Sequence, residues 1–213
     1  MNIILFGPPG AGKGTQAQII VKNHNYFQLS TGDLLRKESK KKTNLGKKIE
    51  ELISKGNFVS DEIVNKLILE TLSNLKFRDR IIFDGYPRTI DQSKNLELIL
   101  KKFEQKIDLI ISLSVSRDIV EKRIIGRVTC DKCNLTLNEF FNDKQIQLHP
   151  CGKEHFVKRK DDNLDTIMSR YDIYTKTTKP VLDFFSKNPN FHEIDGTQEI
   201  SQITAKIDTF INV

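Results

Sequence analysis

The chain of 213 residues contains no apolar run near the length that spans a bilayer, and 29% charged against 38% hydrophobic residues describe a soluble protein. Internal repeats and low-complexity linkers are absent too, which excludes solenoids and tethered arrays and leaves one compact domain carrying insertions. The start, Met1 to Phe6, is too short for a signal-peptide core, so a cytoplasmic location is expected. The four histidines (His24, His149, His155 and His192) enter no Ser/His/Asp arrangement, and hydrolase chemistry has no support. Positive charge is in modest excess, +6 from 34 basic and 28 acidic residues, much of it between Lys37 and Lys48. No aromatics interleave with those lysines as a stacking surface for nucleic acid requires. They read as a solvated helix face whose field favours small anions.

What the chain does have begins at residue 2. The apolar run Asn2-Ile3-Ile4-Leu5-Phe6 breaks into Gly7-Pro-Pro-Gly-Ala-Gly-Lys-Gly-Thr15, followed by a helix-forming stretch. Glycines let successive backbone N–H groups converge on one anion, the helix adds its positive end, and Lys13 brings a mobile charge to the outer phosphates. This is a P-loop with one departure. Gly14 occupies the place where a Mg²⁺-binding hydroxyl usually follows the lysine, and Thr15 comes one residue later. Any Mg²⁺ is therefore expected to be held mainly by nucleotide and water.

Apolar segments then alternate with helical ones. Strands are expected at 2–6, 27–30, 80–84, 107–115 and 191–195. Helices are expected at 13–24, from Thr31, at 45–55, 61–75, 116–126 and 164–186, and over the amphipathic end bearing Ile200, Ile203, Ile207, Phe210 and Ile211. Continuous apolar strands between helices indicate an α/β, doubly wound parallel sheet covered on both faces. Two stretches interrupt the rhythm: a helical excursion at 31–60 and a loop-rich block at 128–160 that holds all three cysteines.

Further groups suit phosphate chemistry. Thr31-Gly32-Asp33 opens a helix with Arg36 one turn on, a plausible clamp for a second phosphate. In Asp84-Gly85-Tyr86-Pro87-Arg88, the aspartate ends a buried strand where it can bind metal-bound water. Gly85 permits close approach of a flat base, Pro87 stiffens the turn and Arg88 can hold a phosphate bidentately. Arg123, Arg127, Arg159 and Arg170, bordering a P-loop, suggest a cage for a transferring phosphoryl group.

Taken together, Gly7–Thr15, Thr31-Gly32-Asp33…Arg36, Asp84 to Arg88…Gln92, Arg123…Arg127, Arg159-Lys160-Asp161-Asp162…Arg170 and Asp195-Gly196-Thr197 resemble the adenylate kinase family of the long-lid bacterial type over essentially the whole chain. The resemblance implies ATP + AMP ⇌ 2 ADP with Mg²⁺ in a monomer. It implies a core at 1–29, 60–121 and 160–213, an AMP-binding segment at 30–59 and a lid at 122–159. It places ATP against Gly10, Ala11, Gly12, Lys13, Gly14, Thr15, Arg123, Arg127, Thr136, Leu137 and the main chain of Gln198. It places AMP against Thr31, Arg36, Asn57, Phe58, Val59, Gly85, Tyr86, Pro87, Arg88 and Gln92, with Gln92 on the adenine edge. Arg159 and Arg170 bridge toward the transferred phosphate, Lys13, Arg88 and Arg123 complete the catalytic set, and Asp33 and Asp84 hold Mg²⁺-bound water. Leu137 stands where relatives commonly have tyrosine, and Met168 where they commonly have arginine. Asn134-Leu135-Thr136 spells a glycosylation sequon, which carries little weight in a cytoplasmic chain.

The same likeness implies a zinc knuckle at Cys130-Asp131-Lys132-Cys133, but only Cys151 remains of the second Cys-x-x-Cys pair. Counting back from Arg159 puts Leu148 at the third ligand position. His149 is the best substitute, with Glu154 and His155 behind it, giving a structural Cys₃His site. The alternatives are a metal-free block held by packing and hydrogen bonds, or reduced thiols.

Overall fold

The computed structural model describes residues 1–74, 79–159 and 162–212. Five strands, β1 (Ile3–Phe6), β2 (Phe27–Ser30), β3 (Ile81–Asp84), β4 (Leu109–Ser114) and β8 (Phe191–Asp195), form one sheet. All its pairings are parallel, in the order β2-β3-β1-β4-β8. Side chains alternate across a strand, so β1 feeds two cores at once. Ile4 and Phe6 join Phe83, Ile110 and the helices α4 (Asp61–Asn74), α5 (Ile90–Lys102) and α9 (Lys179–Phe185) on one face. Ile3 and Leu5 join Ile82, Ile111 and the helices α1 (Lys13–His24) and α10 (Ile200–Ile211) on the other. Each fully buried aliphatic side chain in these layers contributes about 1.5–3 kcal/mol. Because the chain runs from β1 toward β3 on one side and β4 on the other, a crevice opens at the carboxyl end of β1.

Two insertions leave that edge. After β2 come α2 (Thr31–Ser39) and α3 (Asn44–Ser54), capped by Ser30 Oγ and Thr43 Oγ1, which accept from the amides of Asp33 and Gly46. After α6 (Arg117–Ile125) comes the cysteine block. It contains more order than its sequence suggests: β5 (Arg127–Cys130), β6 (Thr136–Asn138) and β7 (Phe156–Val157) form an antiparallel sheet in the order β6-β5-β7, with the short helix α7 (Asp143–Gln147) between β6 and β7.

The helix expected over 164–186 is interrupted. α8 (Leu164–Ile173) gives way to a π-helical turn at Tyr174–Thr178 before α9. Pro180 is the physical reason: it has no N–H and its ring displaces the carbonyl four residues back, so the preceding turn widens. Ile200, expected on the apolar stripe of the last helix, is 47% exposed at its start. The expected end of α4 at Leu75 lies outside the described residues, as do Lys160 and Asp161.

Candidate active site

The loop between β1 and α1 has φ of +97° at Gly12, where an added Cβ would meet nothing within 4 Å; backbone conformation, not space, requires glycine there. At Gly7 space fails as well, since a Cβ would press to 2.8 Å from the Leu113 carbonyl oxygen. Lys13 folds back over the loop, its Nζ donating to the carbonyls of Gly7 (2.8 Å) and Pro8 (2.9 Å). Burial lowers its pKa from 10.5 to about 8; Asp84 opposes that shift and Arg88 and Arg127 add to it. A Cβ on Gly14 would come within 4.0 Å of Asp84 Oδ2, so the residue after the lysine brings the backbone up to that carboxylate. Asp84 is steadied by Gln28, whose Nε2 donates to Oδ2 at 2.9 Å.

A second basic end lies past β3. Arg88 donates through Nε to the Gly85 carbonyl at 2.7 Å, and its guanidinium sits 4.8 Å from the centre of the Phe58 ring. Burial, helped by repulsion from Arg170, brings the Arg88 pKa to about 10. Thr31 donates its hydroxyl to Gly85 O at 2.8 Å, Arg36 pairs with Asp33, and Arg170 donates to Ile53 O at 3.3 Å. Asp33 ionises more readily than usual: burial opposes this, but Arg36 outweighs it with help from Ser30 and Arg159.

Between the ends stand the remaining arginines. Arg123 reaches the Ala11 carbonyl at 3.5 Å, and Arg127 makes a two-pronged ion pair with Asp162. Arg159 has its pKa lowered to about 10 by burial and by its neighbours Arg36 and Arg127. Thr136 Oγ1 lies 3.1 Å from Thr129 Oγ1 on the strand beside it.

These groups border one continuous cavity of about 1820 Å³. It is lined by Gly10 to Thr15, Thr31, Asp33, Arg36, Asn57 to Val59, Asp84, Gly85, Pro87, Arg88, Gln92, Arg123, Arg127, Thr136, Leu137, Arg159, Arg170 and Gln198. Tyr86 is the exception among the expected nucleotide contacts. It is 1% exposed, absent from the lining, and its hydroxyl donates into the core to Asn65 Oδ1 at 2.7 Å. Its ring packs in the core while Gly85, Pro87 and Arg88 on either side line the cavity. Sequence reasoning missed Lys37, Lys40, Lys158, Phe140, Phe141 and Tyr174 on the cavity wall. None sits in a motif. Only the lysine-rich run gave any signal. Met168 meets Arg117, whose Nε lies 3.2 Å from the sulfur, so an arginine from α6 reaches that position.

In the cysteine block, Cys130, Cys133, His149 and Cys151 bring their ligand atoms within 4.8 Å of one another. Cys133 Sγ is 3.3 Å from His149 Nε2. The turn that carries them is closed by Asn134 N to Cys130 O (2.9 Å) and Cys130 N to Leu135 O (2.8 Å), with Asn134 at φ +61°. Burial resists ionisation of Cys130, yet donation from the Cys133 and Lys132 amides and from the Cys133 and His149 side chains brings its pKa to about 6. Leu148 points outward at 83% exposure, and His155 pairs with Asp131 at 2.8 Å, outside the group. Three sulfurs and one imidazole around a common centre fit a tetrahedral metal ion of zinc type.

Two basic ends bordering one cavity that arginines also line suit a phosphotransferase acting between nucleotides. The comparisons agree. The family model "Adenylate kinase" matches residues 5–190. Adenylate kinases of Pelagibacter ubique (68% identical, all of both chains), Mycoplasma mycoides (43%, 91% of each) and Novosphingobium aromaticivorans (40%, 99% of each) are similar to it. The chain belongs to the adenylate kinase family, the nucleoside-monophosphate kinases, and is of the long-lid bacterial type. Among the described residues no helix is long and apolar enough to cross a membrane.

Proposed function

We propose that this chain catalyses ATP + AMP ⇌ 2 ADP, with the donor on Gly10–Thr15, Arg123, Arg127, Thr136, Leu137 and Gln198, and the acceptor on Thr31, Arg36, 57–59, Gly85, Pro87, Arg88 and Gln92. The observation that carries the reading is the single cavity shared by Lys13 and Arg88. A transferring phosphoryl group spreads negative charge over its oxygens, so positioned cations serve it better than an acid or a base. Lys13 meets the donor's outer phosphates, Arg88 and Arg36 hold the acceptor phosphate, and Arg123, Arg159 and Arg170 surround the migrating group. Arg36 exchanges part of its pairing with Asp33 for phosphate, and Lys13 leaves the Gly7 and Pro8 carbonyls to do the same. The reading divides the chain into a core (1–29, 60–121, 160–213), an AMP segment (30–59) and a lid (122–159) whose closure excludes water.

Mg²⁺ would be carried by ATP, with Asp84 and Asp33 holding its water; bound, it neutralises charge on the donor phosphates. Zinc on Cys130, Cys133, His149 and Cys151 would be structural, since four protein ligands leave it no open position. The protein is proposed to act as a cytoplasmic monomer on small nucleotides, with neither nucleic acid nor membrane as partner. ATP offered with AMP, UMP, CMP and GMP in turn tests the acceptor. AMP is expected to be used far faster than the others, and preference for another monophosphate would reject the assignment.

A further inference from the structure

Gln92 is 3% exposed, and both ends of its side-chain amide are engaged. Nε2 donates to Oδ1 of Asp61 at 2.6 Å, and Oε1 accepts the main-chain N–H of Arg88 at 2.7 Å. A carboxylate only accepts and a backbone N–H only donates, so the neighbours dictate which end is nitrogen. Turned over, the amide would set oxygen against carboxylate and NH₂ against N–H. Asp61 is held in its turn. Its Oδ2 accepts from Thr89 Oγ1 at 3.0 Å, and that hydroxyl caps α5 by accepting from Gln92 N at 3.1 Å. The carboxylate at the start of α4 thus spans the junction with α5 and grips the reader from below.

A primary amide has two donors and two lone pairs. One of each is spent on Asp61 and Arg88, which leaves one N–H and one lone pair for the cavity that Gln92 lines. We propose that Asp61 is a specificity-determining residue, acting through Gln92. By fixing the amide it makes the pocket accept a purine edge with a ring acceptor beside an amino group, and refuse one with a ring N–H beside a carbonyl. The first edge is that of a 6-aminopurine and the second that of a 6-oxopurine. Asp61 does not line the cavity and is a positioning residue, not a catalytic one. The inference rests on the reading that Gln92 faces the acceptor base.

The test uses the wild-type protein with ATP, Mg²⁺ and three acceptors: AMP, inosine monophosphate and the purine ribonucleoside monophosphate with no substituent at position 6. A fixed amide gives kcat/KM in the order AMP, then the unsubstituted purine, then inosine monophosphate. The unsubstituted purine loses one hydrogen bond and falls about tenfold. The oxopurine meets two like-with-like contacts and falls about a hundredfold or more. An amide free to turn would pair both groups of inosine monophosphate and raise it above the unsubstituted purine, and that order overturns the proposal. Asp61→Asn keeps the shape but can present an N–H. It is expected to narrow the AMP to inosine monophosphate ratio about tenfold with KM for ATP unchanged. Equal losses for both acceptors would make Asp61 merely structural and overturn the proposal. Absence of ADP from AMP in the wild type would overturn the kinase reading and this one with it, whereas AMP turnover with the wrong acceptor order overturns this one alone.

Discussion

Arg127 and Asp162 meet prong to prong, Nε 2.7 Å from Oδ2, and the Asp162 side chain is 1% exposed. A carboxylate buried against this guanidinium gives the arginine a structural role beside the one proposed for it at the nucleotide.

Arg127→Ala takes the two-pronged partner from that carboxylate and is expected to cost about 3 kcal/mol of stability. The double variant Arg127→Ala/Asp162→Ala should recover more than half of this in urea denaturation, without regaining ATP affinity. Additive losses in the double variant would show that the pair is not coupled.

Lys13 is expected to make ATP binding pH-dependent. Its pKa in the folded, nucleotide-free protein is about 8 against an ordinary 10.5. Between these values the unfolded chain binds the proton and the folded one does not. This group's contribution to stability therefore rises with pH in that window, while the charge needed for phosphate is lost. ATP affinity should weaken about tenfold per pH unit above 8, with proton uptake seen by calorimetry in buffers of different ionisation enthalpy. Lys13→Met should abolish that slope. An affinity constant from pH 7 to 10 would refute the link.

The cysteine group predicts metal. Protein purified without added metal should carry about one zinc per chain, and Cys133→Ser should lose it and melt several degrees lower. Zinc-free wild-type protein with the same melting temperature would remove the structural-metal reading and leave the kinase reading standing.

Gln18 on α1 donates its side-chain amide to the main-chain oxygen of Asn134 at 2.9 Å, joining the loop-bearing helix to the cysteine turn. Gln18→Ala should raise KM for ATP by about threefold, in line with the loss of one hydrogen bond, and leave zinc content and melting temperature unchanged. Loss of zinc in this variant would show a role in building the turn instead.

The parallel sheet was legible because β1, β3 and β4 are short apolar runs, while β2 and β8, mixed in polarity, follow from their places between helical segments; the cavity was legible because a phosphate site calls for glycine, lysine and arginine. The antiparallel sheet in the cysteine block was not, since β5, β6 and β7 have four, three and two residues and mixed polarity. Periodicity needs a longer window than that. A motif shows which residues are adjacent and not which way a turn aims them, so the burial of the Tyr86 side chain in the core was not legible. Asp61 and Asp162 went unassigned because their partners lie 31 and 35 residues away, a distance only the fold closes. His149 was reached by counting from Arg159, and its imidazole does stand with the three cysteines.

The most direct measurement is ADP formed from ATP, AMP and Mg²⁺ by the purified protein, followed in a coupled assay beside Arg88→Ala with circular dichroism to check the fold. The account predicts two ADP for each AMP consumed, and a loss of about a thousandfold or more in the variant with its fold intact. No ADP from the wild type, or undiminished turnover in Arg88→Ala, would contradict a transfer between two nucleotides held in one cavity.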